Sequence, residues 1–163
     1  MNLWTKALRE GLVAGTVGGL LSGAALALAG RRETGYPAAP INAVSHWFWP
    51  EAALRADRPS LRYTVVGFAT HHAAAVLWGT AYARARAALR PHHPPSLAGA
   101  VATSAVAAVV DYTMTPKRFT PGYEHRLTKS ALVTVYACLA IGLLLGAELA
   151  EQEDGPQHLG RLP

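Results

Sequence analysis

Three ionisable residues, His71, His72 and Asp111, stand well inside stretches that are otherwise free of charge. Such groups are expensive to bury in an apolar setting, so they are the first place to look for chemistry. Imidazole and carboxylate together suit three roles. They can hold a transition metal such as Zn, Cu or non-haem Fe. They can pass a proton or meet a solute in a polar cavity, or they can hydrogen-bond to each other and fix the register of two helices. Spacing does not choose among these roles. Adjacent histidines on one helix point about 100° apart and do not converge easily on one ion. No HxxxH, HExxH or paired ExxH pattern is present. A bis-histidine haem needs His on two facing helices, and only one apolar stretch carries His.

The elements that must position these residues are apolar windows of about 18 to 20 residues. Four such windows occur, at residues 11–30, 63–83, 97–115 and 130–149. Basic residues flank them: Lys6 and Arg9, then Arg31 and Arg32, Arg62 and Arg84, Arg90 and Lys117. Trp4, Tyr63, Trp78, Tyr82 and Tyr112 lie near the ends, where an interfacial aromatic belt is expected. Composition agrees: of 163 residues 51% are hydrophobic and only 15% charged, against about 25% charged in an ordinary soluble domain. The expectation is an all-α fold, a four-transmembrane-helix bundle forming a single integral membrane domain over residues 1–150, with a flexible tail at 151–163. A cleaved signal peptide is the rival reading of the first window, with Ala27, Leu28 and Ala29 as its cleavage region. Gly11, Gly15, Gly19 and Gly23 at four-residue spacing argue instead for a closely packed membrane helix. Gly67 and Gly79 on the second window, and Gly142 and Gly146 on the fourth, are expected to serve packing in the same way.

Residues 40–49 read as a short helix lying at the membrane interface between the first and second spans, with Pro40 at its start and Ile41, Val44, Trp47 and Phe48 at helical spacing. A second short polar helix over residues 50–56 is expected to follow it. The connection at residues 84–96, with His92 and His93, reads as a solvated turn, and Glu124, His125 and Arg126 as the wet first turns of the last helix.

Small-residue stripes then place the polar groups. Gly67, His71, Ala75 and Gly79 share one face of the second span, and Gly99, Thr103, Ala107 and Asp111 one face of the third. His71 lies about 12 Å along its helix and Asp111 about 6 Å from the end of its own, both measured from the same face of the membrane. The connections on that face carry His46, Tyr123, Glu124 and His125, so the expected polar cluster is His46, His71, His72, Asp111, Glu124 and His125. His71 and Asp111 are expected to pair directly.

The Gly-rich first span, Gly67 followed by His71 and His72, the run from Trp78 to Tyr82, Thr115-Pro116 and Glu124 ahead of the last span together resemble the YagU-type family of small bacterial inner-membrane proteins. The resemblance implies a multi-pass protein of the cell inner membrane, and it transfers no catalytic residue, because that family has no assigned reaction. This chain departs from it in its loops, notably at residues 45–50. The expected function is that of a packed bundle acting through a partner, a second copy or membrane physiology. The alternative is a metal-binding or proton-coupled membrane enzyme or transporter using His71, His72 and Asp111, with a transition metal as the only cofactor in view. GxSxG, P-loop and strand-linked GxGxxG patterns are absent. The basic residues sit at span ends, where lipid headgroups account for them and nucleic acid is not required. Lys and Arg divide too evenly between the two sides to orient the chain.

Overall fold

The computed structural model describes residues 2–89 and 93–154, and these form helices and turns with no strand among them. Six α-helices run in order: α1 (Leu3–Glu33), α2 (Ala39–Val44), α3 (Pro50–Leu54), α4 (Val66–Leu89), α5 (Leu97–Val109) and α6 (Lys129–Asp154). Three stretches are long and apolar enough to cross a membrane: α1, residues Leu97–Met114 and residues Lys129–Glu153. Helix α4 has comparable length, but His71 and His72 dilute its apolar character.

Local chemistry sets the ends. Asn2 caps α1 by accepting from the Thr5 amide at 2.7 Å. Gly35, at φ +79, turns the chain back after α1. Ser60 and Ser96 cap the starts of the α4 and α5 segments through the amides of Tyr63 and Gly99. Glu33 reaches across to take both the amide and the hydroxyl of Thr128, each at 2.7 Å, and so ties the end of α1 to the start of α6.

Helix α1 is the axis of the bundle because it has two small-residue faces. On one, Gly11, Gly15, Gly19 and Gly23 meet Thr80, Val76, His72 and Phe68 of an antiparallel α4. On the other, Ala14 and Gly18 meet Gly146 and Gly142 of an antiparallel α6. A Cβ on Gly146 would stand 2.6 Å from the Ala14 Cα, so these backbones touch, which is the geometry small residues permit. Gly79 packs its backbone against Gly11 and Gly15. Helix α5 packs chiefly on α6, where the Ser104 hydroxyl donates to the Tyr136 carbonyl at 2.7 Å. Its buried face is Ala100, Ser104 and Ala107, so the expected stripe through Gly99 and Thr103 is turned by one residue.

Three sequence expectations change here. Residues 39–46 are buried on every side, so the short helix expected between the first and second spans is present and is packed against protein on all its faces. Glycines at Gly30, Gly67 and Gly122 let it plug in: Gly67 meets the Ile41 carbonyl and Gly122, at φ +89, the Ala43 carbonyl and His46. Asn42 completes the plug by donating to the carbonyls of Ala56 and Arg58 and accepting from Thr64. Secondly, Tyr123–His125 is a separate 3₁₀ turn, and α6 begins only at Lys129. Thr128 sets this start by capping the helix, its hydroxyl accepting from the Ala131 amide at 3.4 Å. Thirdly, α6 continues through Asp154, so the start of the expected tail is helical. The rest of that tail and His92 lie outside the described residues.

Candidate functional site

Pro116 cannot continue a helix, and Thr115 ahead of it is extended at ψ 130. The chain approaches this break through a π-helical turn, Val110–Met114, closed by the Thr115 amide on the Val110 carbonyl at 2.9 Å. Turns of this kind widen a helix and recur at functional sites. Here Asp111 lies within it. The Tyr136 hydroxyl of α6 donates to Asp111 Oδ2 at 2.6 Å, and the Tyr123 hydroxyl donates to Tyr136 at 3.3 Å. Burial pushes the Tyr123 phenol well above its ordinary value, so it stays a proton-bearing donor. The other Asp111 oxygen, Oδ1, has no protein partner among the described residues.

His71 is held differently. Its Nε2 lies 3.1 Å from Ser22 Oγ and 3.2 Å from the Gly19 carbonyl. The Ser22 hydrogen is already given to the Gly18 carbonyl at 2.7 Å. Both neighbours of Nε2 therefore act as acceptors, which assigns the proton to Nε2 and leaves Nδ1 as an acceptor in the neutral ring. The expected direct bond between His71 and Asp111 is not formed, because each group has a nearer partner on another helix. They are instead joined by a cavity of about 230 Å³ between α4 and the π-helical turn that follows α5, which both groups line. Trp47, Trp78, Phe119 and Tyr123 supply its aromatic walls.

Of the remaining members of the expected cluster, the three histidines turn elsewhere. His72 turns to α1, with Nε2 at 3.4 Å from the Thr16 hydroxyl and its ring stacked on Phe68. His46 is buried in the plug, its Nδ1 donating to the Ala43 carbonyl at 2.9 Å. Glu124 stays within electrostatic reach of Asp111; its Oε1 lies 3.9 Å from the exposed His125, and its buried Oε2 has no hydrogen-bond partner among the described residues. Among the described residues no three His, Cys, Asp or Glu come together as a metal would require. The metal site expected at His71, His72 and Asp111 is thus not supported: adjacent positions on one helix diverge, and each ring has found a protein partner.

Sequence reasoning placed Tyr123 on this side but missed Tyr136 and Ser22, the direct partners of Asp111 and His71. It also missed a charged knot at the opposite end of the bundle. Arg86 binds Glu10 at 2.7 Å and also Glu151, and Lys6 approaches Glu10 at 3.4 Å. Burial opposes the Arg86 charge, but the two carboxylates outweigh it and hold the guanidinium above its ordinary value. A polar residue within an apolar helix was the available signal for Ser22 and Tyr136. No family model, curated protein or solved structure matches this chain. Function has to be argued from the chemistry of the site.

Proposed function

We propose that the chain is a four-span protein of the cell inner membrane that binds a small polar solute in the cavity between α4 and the π-helical turn after α5. The observation that carries this reading is the placement of one carboxylate and one imidazole on the wall of a single cavity. Ionisable groups within a membrane face a bundle interior or a water-filled space, and typically mark a path or a binding site. A small, largely apolar cavity with a few convergent polar groups is the usual form of such a site.

Two features support α4 as the fourth span. It lies antiparallel against α1 from Gly11 to Gly23, so a membrane crossed by α1 is crossed by α4 as well. Its ends also carry matching anchors, Arg62 over Trp49 at 4.6 Å and Arg84 over Trp4 at 5.2 Å. The two arginines stand about 33 Å apart along the helix, close to the thickness of a hydrocarbon core. The inner-membrane location follows the resemblance to YagU-type proteins.

Thiol labelling tests the cavity. In a Cys138→Ser background, Thr70→Cys on the cavity wall should react with a small neutral methanethiosulfonate, because a thiolate forms only where water reaches it. Ile141→Cys, exposed on the outer side of α6, should stay inert in a lipid nanodisc. A Thr70→Cys as inert as Ile141→Cys would overturn the reading.

A further inference from the structure

We infer that the solute held in this cavity is a small organic cation, a substituted ammonium. The inference rests on the cavity being a solute site, as proposed above, and adds the chemical class.

Charge accounting comes first. Glu10 has Arg86 and Lys6, Asp57 has Arg126, and Glu33 takes the Thr128 amide. Asp111 has only the Tyr136 hydroxyl, no Lys or Arg among the described residues lines its cavity, and the neighbouring Glu124, with its Oε2 buried and lacking a hydrogen-bond partner, adds a second carboxylate rather than a cation. A carboxylate in such a place needs either a proton or a cation brought from outside.

The hydrogen-bonding capacity of the wall points the same way. Thr70 gives its hydrogen to the Val66 carbonyl, Thr115 to the Val110 carbonyl, Trp47 to the Thr120 carbonyl and Tyr123 to Tyr136. The His71 Nε2 proton is likewise spent on α1. Among the described lining groups, Trp78 Nε1 is the one indole or hydroxyl hydrogen left, while Asp111 Oδ1 and His71 Nδ1 remain as acceptors. A wall of acceptors suits a guest that donates or carries positive charge. An anion would find almost nothing to hold it.

Aromatic rings complete the fit. The protein's own cation–π pairs use Trp4, Trp49 and Tyr63, none of which lines the cavity. Among the described residues no Lys or Arg stands over Trp47, Trp78 or Phe119, so these rings, Trp47 and Phe119 edge to face at 5.5 Å, supply the aromatic surface a guest cation can meet. With no three-ligand grouping present, a rounded organic cation fits this wall better than a metal ion.

Choline and its uncharged isostere 3,3-dimethyl-1-butanol separate charge from shape. In calorimetry on the full chain in nanodiscs, choline should bind at least about tenfold more tightly than the alcohol, as a desolvated cation–π and carboxylate site requires. Asp111→Asn should remove that preference, bringing the two compounds to within about twofold of each other. Independently of that variant, choline should slow the labelling of Thr70→Cys, and the alcohol should do so far less. Equal binding of the two compounds, or a choline preference that survives Asp111→Asn, overturns the cation while leaving the solute cavity standing. If neither compound binds although Thr70→Cys labels, the cation is likewise overturned. If Thr70→Cys fails to label and nothing binds, the cavity reading falls with it.

Discussion

At the scale of single residues, Asp111 depends on Tyr136 and His71 on Ser22. Tyr136→Phe leaves the carboxylate without its donor and should destabilise the bundle by about 1–3 kcal/mol. Combined with Asp111→Asn it should cost less than the two changes added together, as measured by denaturant unfolding in detergent. His71→Ala and Asp111→Ala share no hydrogen-bond partner, so their coupling, carried only by the cavity that both line, should stay below about 1 kcal/mol. A coupling well beyond that would mean the two groups are bonded after all. At the other end, Arg86→Ala strands Glu10, which is 3% exposed, and should cost about 3–5 kcal/mol. Glu10→Gln should cost less, because it keeps a hydrogen-bond partner for Arg86. The sequence pointed to His71 and Asp111 because ionisable groups stand out in apolar helices, and it placed both in the same half of the bundle. It did not disclose that they bond elsewhere. Helical periodicity locates a face, whereas the partner of that face depends on which helices become neighbours.

At the scale of elements, α1 decides how the others pack. Gly15→Ala would drive a methyl into the Val76 backbone and should destabilise by about 1–3 kcal/mol. Gly18→Ala meets a flexible Leu139 methyl at 3.1 Å and should be milder, as should Leu20→Ala on the outer face. Thermal unfolding of the three variants in one detergent ranks them. Equal losses would show that the glycine face is not a contact surface. The four-residue glycine ladder is visible by eye, but the second face of α1 mixes Ala14, Gly18 and Ser22 and is not. The plug over residues 39–46 was readable as a helix from its apolar spacing and Pro40. Its burial was not, because a short apolar helix looks the same whether it faces lipid or protein. What buries it is distant in sequence: Gly67, Gly122 and Thr64.

At the scale of the whole molecule, large apolar side chains stay exposed along the long helices, among them Leu12, Leu77, Val106 and Ile141. An ordinary soluble surface does not carry that much apolar area, and a lipid-facing one does. Length and hydropathy made the helical class and the apolar stretches legible from the outset. Direction was not legible, because the positive charges divide almost evenly between the two sides. The status of α4 matters most, since the cavity, His71 and the proposed guest all depend on its crossing the bilayer. Cysteine labelling with a membrane-impermeant reagent in sealed, oriented vesicles tests this directly, with Cys138→Ser as background. Arg55→Cys and Lys117→Cys should label from one side, and His93→Cys and Glu153→Cys from the other. If His93→Cys instead labels from the same side as Arg55→Cys, α4 does not cross, and the four-span protein with an intramembrane solute cavity is contradicted.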